Sequence, residues 1–157
     1  MTLGLVLSIL GAALSIVGGG IGTIMGTLHV ASAGAGLVAA KPKSFGMVLL
    51  AAALPSSQGI YGFLGSILIL QQTNFLGGTA VDVSFEKGLA LLVAALPVGL
   101  LGMFSGAGQG KVMQAGLRIV AKNPGDVGKA VILGVLMESM AVFGLLMTIL
   151  IVNGVTF

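Results

Sequence analysis

The stretch GVLMESMAVFGLLMTILIV, residues 134–152, holds one acidic side chain, Glu138, in an apolar run long enough to cross a bilayer. Counted from Ala130 at about 1.5 Å per residue, Glu138 lies roughly 12 Å into its helix, where an ionised carboxylate costs about 3 kcal/mol on insertion scales. It must therefore be protonated, paired or bound to a cation. Candidate partners stand in LPSSQGIYGF, residues 54–63, where Leu54, Ser57, Gln58 and Tyr61 follow the i, i+3, i+4, i+7 spacing of one helix face. Pro55 cannot donate a helical hydrogen bond and crowds the carbonyl one turn earlier, which frees nearby backbone oxygens as ligands. Gln109 offers a further amide. A carboxylate, two amide oxygens, a hydroxyl and a main-chain carbonyl form an all-oxygen set, the donors that hard alkali and alkaline-earth cations prefer. One formal negative charge suits a monovalent ion better than Ca²⁺.

Other chemistries fail on their own motifs. SGAGQGKV, residues 105–112, places Ser105 where a phosphate-binding loop needs its first glycine and Val112 where it needs a hydroxyl. GAGLVA, residues 34–39, follows no strand and has no βαβ unit to hold a dinucleotide. There are no cysteines and one histidine, His29, so thiolate and paired-histidine metal sites are excluded, and no nucleophile stands beside a base. No catalytic residue and no nucleotide site is assigned. The net charge of +3 is small, and solvated loop charges account for it without nucleic acid.

The elements that must position these groups follow from composition. Of 157 residues 57% are hydrophobic and 7% charged, and the mean hydropathy of +1.17 is far above that of soluble domains. Four windows are long and apolar enough to span a membrane: roughly Leu3–Met25, Phe45–Leu70, Gly88–Gly108 and Ala130–Val152. Backbone groups in hydrocarbon must bond within helices or a closed barrel, and uninterrupted apolar runs without alternation select helices. The expected fold is an all-α membrane protein of four transmembrane helices in a single membrane domain, residues 1–157. The first helix lacks a positive leading segment and is expected to be retained. Lys41 and Lys43 lie between the first two helices, and Lys111, Arg118, Lys122 and Lys129 cluster around the last connection. The positive-inside rule puts both hairpin loops in the cytoplasm and both termini outside.

The chain repeats itself. A shift of 82 positions aligns Gly20 with Gly102, Gly26 with Gly108, Gly34 with Gly116, Pro42 with Pro124 and Gly62 with Gly144 without a gap. Two tandem helical hairpins result, one over about residues 1–75 and one over about 83–157, and both enter the membrane in the same direction, unlike inverted transporter repeats. Gly18, Gly22 and Gly26 recur every four residues, as do Gly102, Gly106 and Gly110, giving the first helix of each hairpin a smooth ridge for close packing. Spacing alone is satisfied by an ordinary four-helix bundle; a ring with the glycine helices on an inner circle is the arrangement that would use both ridges.

The duplicated hairpin, LPSSQGIYGF, GAGQGK and LMESMAVFG together resemble the proteolipid (subunit K, or c-type) family of V-type ATPases, particularly its sodium-transporting bacterial members. The resemblance implies that Glu138 is the ion-binding carboxylate, with Gln58 and Gln109 as amide ligands, Ser57 as the hydroxyl ligand and Leu54 as the backbone-carbonyl ligand. Tyr61 is then expected to hydrogen-bond the carboxylate and steady it. Sodium-type members usually carry threonine at the position of Ser57, which keeps the oxygen and drops a methyl group. In the repeat register Glu138 aligns with Ser56, so one ion per chain is expected. The resemblance further implies a homo-oligomeric rotor ring in the cell membrane that turns against the stator subunit a/I. The central stalk sits at the cytoplasmic loops, membrane lipids surround the ring, and ATP chemistry belongs to other subunits. The expected cargo is Na⁺, with H⁺ as the alternative: Ser57, Gln58 and Gln109 are surplus for a proton but needed for sodium. A self-contained channel or secondary transporter is the alternative of another class.

Overall fold

A computed structural model of the chain describes residues 2–79 and 81–155, so the outermost ends of the two expected repeat units, Met1 and Phe157, lie outside it. The described residues are all helical apart from turns and connections, and four stretches are long and apolar enough to cross a membrane. Helix α1 runs Leu3–Ala40; α2, Phe45–Ala53, and α3, Ser57–Gln72, are joined by a 3-10 turn, Leu54–Ser56, into one second span; α4 runs Phe85–Lys122 and α5 Val127–Gly154.

Helices α1 and α4 each have 38 residues, longer than the apolar windows suggest. At about 1.5 Å per residue they outreach a hydrocarbon core of roughly 30 Å. Lys111 and Arg118 accordingly stand on the continuous helix α4, rather than in the connection that follows it. Hydropathy falls where the charges begin, but the backbone ladder continues until Pro124, which has no N–H to extend it.

The two hairpins share their hydrogen bonds as well as their sequence register. Thr2 caps α1 by accepting from the Leu5 N–H at 3.4 Å, and Ser84 caps α4 by accepting from the Lys87 N–H at 3.4 Å. Each first helix ends the same way: the Lys41 N–H donates to the Leu37 carbonyl and the Asn123 N–H to the Ile119 carbonyl, both at 2.8 Å. A proline then opens a short 3-10 turn in each hairpin, Pro42 and Pro124. Within the membrane, the Thr23 hydroxyl donates to the Pro55 carbonyl at 3.0 Å, as the Ser105 hydroxyl does to the Met137 carbonyl at 2.6 Å. Each of these pairs is related by 82 positions.

The hairpins meet along α1 and α4, with α3 packed on both and α5 packed on α4 and α3. The meeting line is glycine: a Cβ added at Gly18, Gly22 or Gly26 would collide with the carbonyl oxygen of Gly99, Gly102 or Gly106 respectively. With no side chains between them, the two backbones approach closely and gain dispersion contact along their length. Large apolar side chains that soluble proteins bury point outward, among them Leu150 at 68% and Ile132 at 65% exposure. Lipid solvates such a surface at no cost.

Helix α4 also carries Pro97 in its interior without breaking. Thr148 of α5 accounts for part of this, because its hydroxyl donates to the Ala94 carbonyl at 2.7 Å and accepts from the Val98 N–H at 3.3 Å. A fully buried side chain thus satisfies backbone groups on both sides of the proline turn. Replacing Thr148 by the near-isosteric valine removes both of these hydrogen bonds and is expected to lower stability by about 1–3 kcal/mol. Thermal unfolding in detergent measures it, and an unchanged midpoint would show that Pro97 needs no such support.

Candidate functional site

The 3-10 turn Leu54–Ser56 is the local consequence of Pro55, and it delivers Ser57 and Gln58 to the first turn of α3. The Ser57 hydroxyl donates to the Leu54 carbonyl at 2.8 Å and lies 3.3 Å from the Gln58 Oε1. Gln58 is fully buried and donates through Nε2 to Gln109 Oε1 at 2.9 Å and to Ser105 Oγ at 3.4 Å. Gln109, also fully buried, donates to the Gly134 carbonyl of α5 at 3.0 Å. Glu138 accepts from the Tyr61 hydroxyl at 2.8 Å.

All six residues singled out in the sequence therefore gather where α3, α4 and α5 meet. The turn of α5 that presents Glu138 is pinned twice from α4, at Gly134 by Gln109 and at Met137 by Ser105, while Tyr61 holds the carboxylate itself from α3. Each anchor reaches across a helix interface, which fixes the turn that carries the carboxylate. Among the described residues no three His, Cys, Asp or Glu side chains come together, and Glu138 is the one carboxylate in this group. Every buried side-chain nitrogen and oxygen among the described residues has a partner.

Two participants escaped the sequence reading. Ser105 precedes Gln109 by four residues and so shares its face of α4, a spacing that could have flagged it. Thr23 is its counterpart in the 82-residue register: its hydroxyl contacts the Pro55 and Ser56 carbonyls at 3.0 and 3.3 Å and accepts from the Gly59 N–H at 2.9 Å. It satisfies backbone groups around the proline, including carbonyls that the turn directs away from the helix ladder.

The arrangement can be set beside known proteins. The profile of the family described as ATP synthase C subunit matches this chain twice, over residues 10–69 and 92–151. The chain belongs to the ATP synthase C subunit family. Both matches have the same length and start 82 residues apart (92 − 10), so each hairpin is one family unit. The V-type sodium ATPase subunit K of Enterococcus hirae is 37% identical over 149 residues, covering 95% of this chain and 92% of that protein. The A-type ATP synthase subunit K of Methanocaldococcus jannaschii is 40% identical over 151 residues, which is 96% of this chain but 64% of the longer relative. The 16 kDa proteolipid of the human V-type proton ATPase is 24% identical over 143 residues, 91% of this chain and 88% of that protein. Within the family, then, this is a doubled-hairpin proteolipid, with Glu138 in its second unit.

Proposed function

We propose that the chain is the ion-carrying subunit of the rotor ring of a V- or A-type ATPase, and that its cargo is Na⁺ held at Glu138. The observation that carries this reading is the placement of one membrane carboxylate, clamped by Tyr61, beside a fully buried pair of amides and a proline-turned carbonyl. Each amide and carbonyl oxygen has two lone pairs, and the hydrogen bonds described above occupy one on Gln109 Oε1 and one on the Leu54 carbonyl. The Ser57 N–H also donates to the Leu54 carbonyl, so that oxygen becomes free for a cation when the Ser57 hydroxyl turns its proton away; with the second lone pair of Gln109 Oε1, the Ser57 hydroxyl, Gln58 Oε1 and the Glu138 carboxylate it supplies the five oxygens of a sodium site. A proton needs none of them except the carboxylate.

The mechanism follows from the solvent. An ion on Glu138 cancels the charge, and the neutral site passes through lipid as the ring turns; an empty carboxylate is confined to an aqueous half-channel or to a basic group on a stator subunit. Ions enter from one half-channel and leave by the other, so rotation and transport are coupled through the charge state of one side chain. The lysine-bearing hairpin loops face the cytoplasm and seat the ring on a central stalk, and ATP is hydrolysed or made by other subunits. The Enterococcus hirae relative, a sodium ATPase subunit by name, supports the choice of cargo; the human relative is named for protons.

Carbodiimide labelling of Glu138 in membranes at fixed pH tests this. Millimolar Na⁺ is expected to slow the modification, because a bound cation shields the carboxylate, and K⁺ at the same concentration is expected to slow it less. Labelling that responds to pH but not to Na⁺ would assign the ring to protons. Ion flux through the purified chain alone in liposomes would instead make it a channel or transporter.

A further inference from the structure

The contact between the two hairpins of one chain is also a template for the contact between chains. Hairpin one and hairpin two share caps, turns and membrane hydrogen bonds in a constant 82-residue register. If the same step that carries hairpin one onto hairpin two is taken again, hairpin two lands on hairpin one of a next copy. Every α1–α4 contact then implies a second one, found by adding 82 on one side and subtracting 82 on the other. Gly22 against Gly102 becomes Phe104 (22 + 82) against Gly20 (102 − 82) of the next copy. Gly26 against Gly106 becomes Gly108 (26 + 82) against Ile24 (106 − 82) of the next copy.

The residues so selected have the shapes the operation requires. Phe104 and Ile24 are both 66% exposed. Their partners are glycines left open: an added Cβ at Gly20 meets nothing within 4 Å, and at Gly108 it meets only the tip of the Met137 side chain. Each flank therefore offers one large knob and one vacant hole, and knob faces hole in two of the three contacts that the glycine line implies; the third, Gly18 against Gly99, becomes Leu100 against Val17 of the next copy. Inside the chain glycine meets glycine and the backbones touch; an exact repeat of that step would drive the Phe104 Cβ into the Gly20 carbonyl of the next copy, so the step between copies keeps the register and lengthens the spacing. The site obeys the same rule. Gln58 against Gln109 becomes Met140 against Thr27 of the next copy, and Tyr61 against Glu138 becomes Phe143 against Ser56, so the counterpart of the site at the seam holds no carboxylate. Met140 and Phe143, 45% and 57% exposed in the single chain, are accounted for in this way.

We infer that the flank of α4 carrying Phe104 and Gly108 docks on the flank of α1 carrying Gly20 and Ile24 of a second copy, with Phe104 seated in the space over Gly20. This deepens the rotor-ring reading and rests on it. A size swap tests the pairing, with native mass spectrometry or a mild-detergent gel as readout. The wild-type chain must first give a closed oligomer; if it gives only monomers, the ring reading itself fails. Gly20→Leu fills the hole, its Cβ meeting nothing within 4 Å inside its own chain, and is expected to abolish the oligomer, and adding Phe104→Ala is expected to restore it. An oligomer unaffected by Gly20→Leu, or one that Phe104→Ala does not restore, overturns the inference while leaving the ring in place. Because the chain has no cysteine, Phe104→Cys with Gly20→Cys gives an independent measurement. Oxidation is expected to produce a ladder of linked chains, and wild-type-like rings without a ladder overturn the pairing.

Discussion

Glu138→Gln is expected to stop ion pumping by the assembled ATPase while leaving the ring assembled. Glutamine has nearly the shape of glutamate and retains an oxygen that the Tyr61 hydroxyl can reach, so the packing of α3 on α5 survives. What disappears is the charge. At an effective dielectric of about 20, a unit charge about 4 Å away is worth roughly 4 kcal/mol, or close to 1000-fold in ion affinity at about 1.4 kcal/mol per tenfold. Uptake of labelled sodium by vesicles carrying the whole complex measures the loss, and a native gel verifies that rings are present. Pumping that continues at the wild-type rate with intact Glu138→Gln rings would remove Glu138 from the mechanism. The neutral side chain is also cheaper to hold in hydrocarbon than an ionised one, so the variant is expected to be at least as stable as the wild type.

The second large effect concerns packing. Gly22→Leu is expected to unseat α1 from α4, because even the Cβ collides with the Gly102 carbonyl oxygen. Overpacking a core usually costs about 1–3 kcal/mol, since flexible side chains absorb part of the clash. Here both surfaces are backbone, nothing can rotate aside, and the helices must part. The melting midpoint of the variant in detergent should fall well below that of Gly20→Leu, two residues away, where an added Cβ meets nothing within the chain. Equal midpoints for the two substitutions would mean that the α1–α4 seam does not hold the chain together.

The contrast between those two glycines shows where sequence reading stops. The four-residue recurrence of Gly18, Gly22 and Gly26 announces a packing ridge, but Gly20 and Gly22 look alike until their surroundings are known. Gln58, Gln109 and Glu138 were legible because amides and a carboxylate are conspicuous in apolar helices, and Leu54, Ser57 and Tyr61 because they share the helical spacing of Gln58. Ser105 and Thr148 were not. A hydroxyl in a membrane helix can bond its own backbone one turn back, so its type says nothing about whether it reaches across to another helix. The ends of α4 were misjudged for a related reason: hydropathy reports which solvent a residue prefers, and the ladder of backbone bonds persists beyond the point where that solvent changes.

Composition and the 82-residue repeat thus determined that this chain is four membrane helices in two equivalent hairpins, with Glu138 the single carboxylate inside an apolar window, because solvent preference and periodicity are properties of the chain taken locally. Only the tertiary structure decided which glycines touch and that Ser105 and Gln109 pin the turn bearing Glu138, while the Tyr61 bond to Glu138 is the one the resemblance led us to expect. Those facts depend on the rotation and depth of one helix against another, and several crossing geometries satisfy the same apolar pattern. The choice among them falls to contacts between residues as far apart as Tyr61 and Glu138, which no local pattern contains.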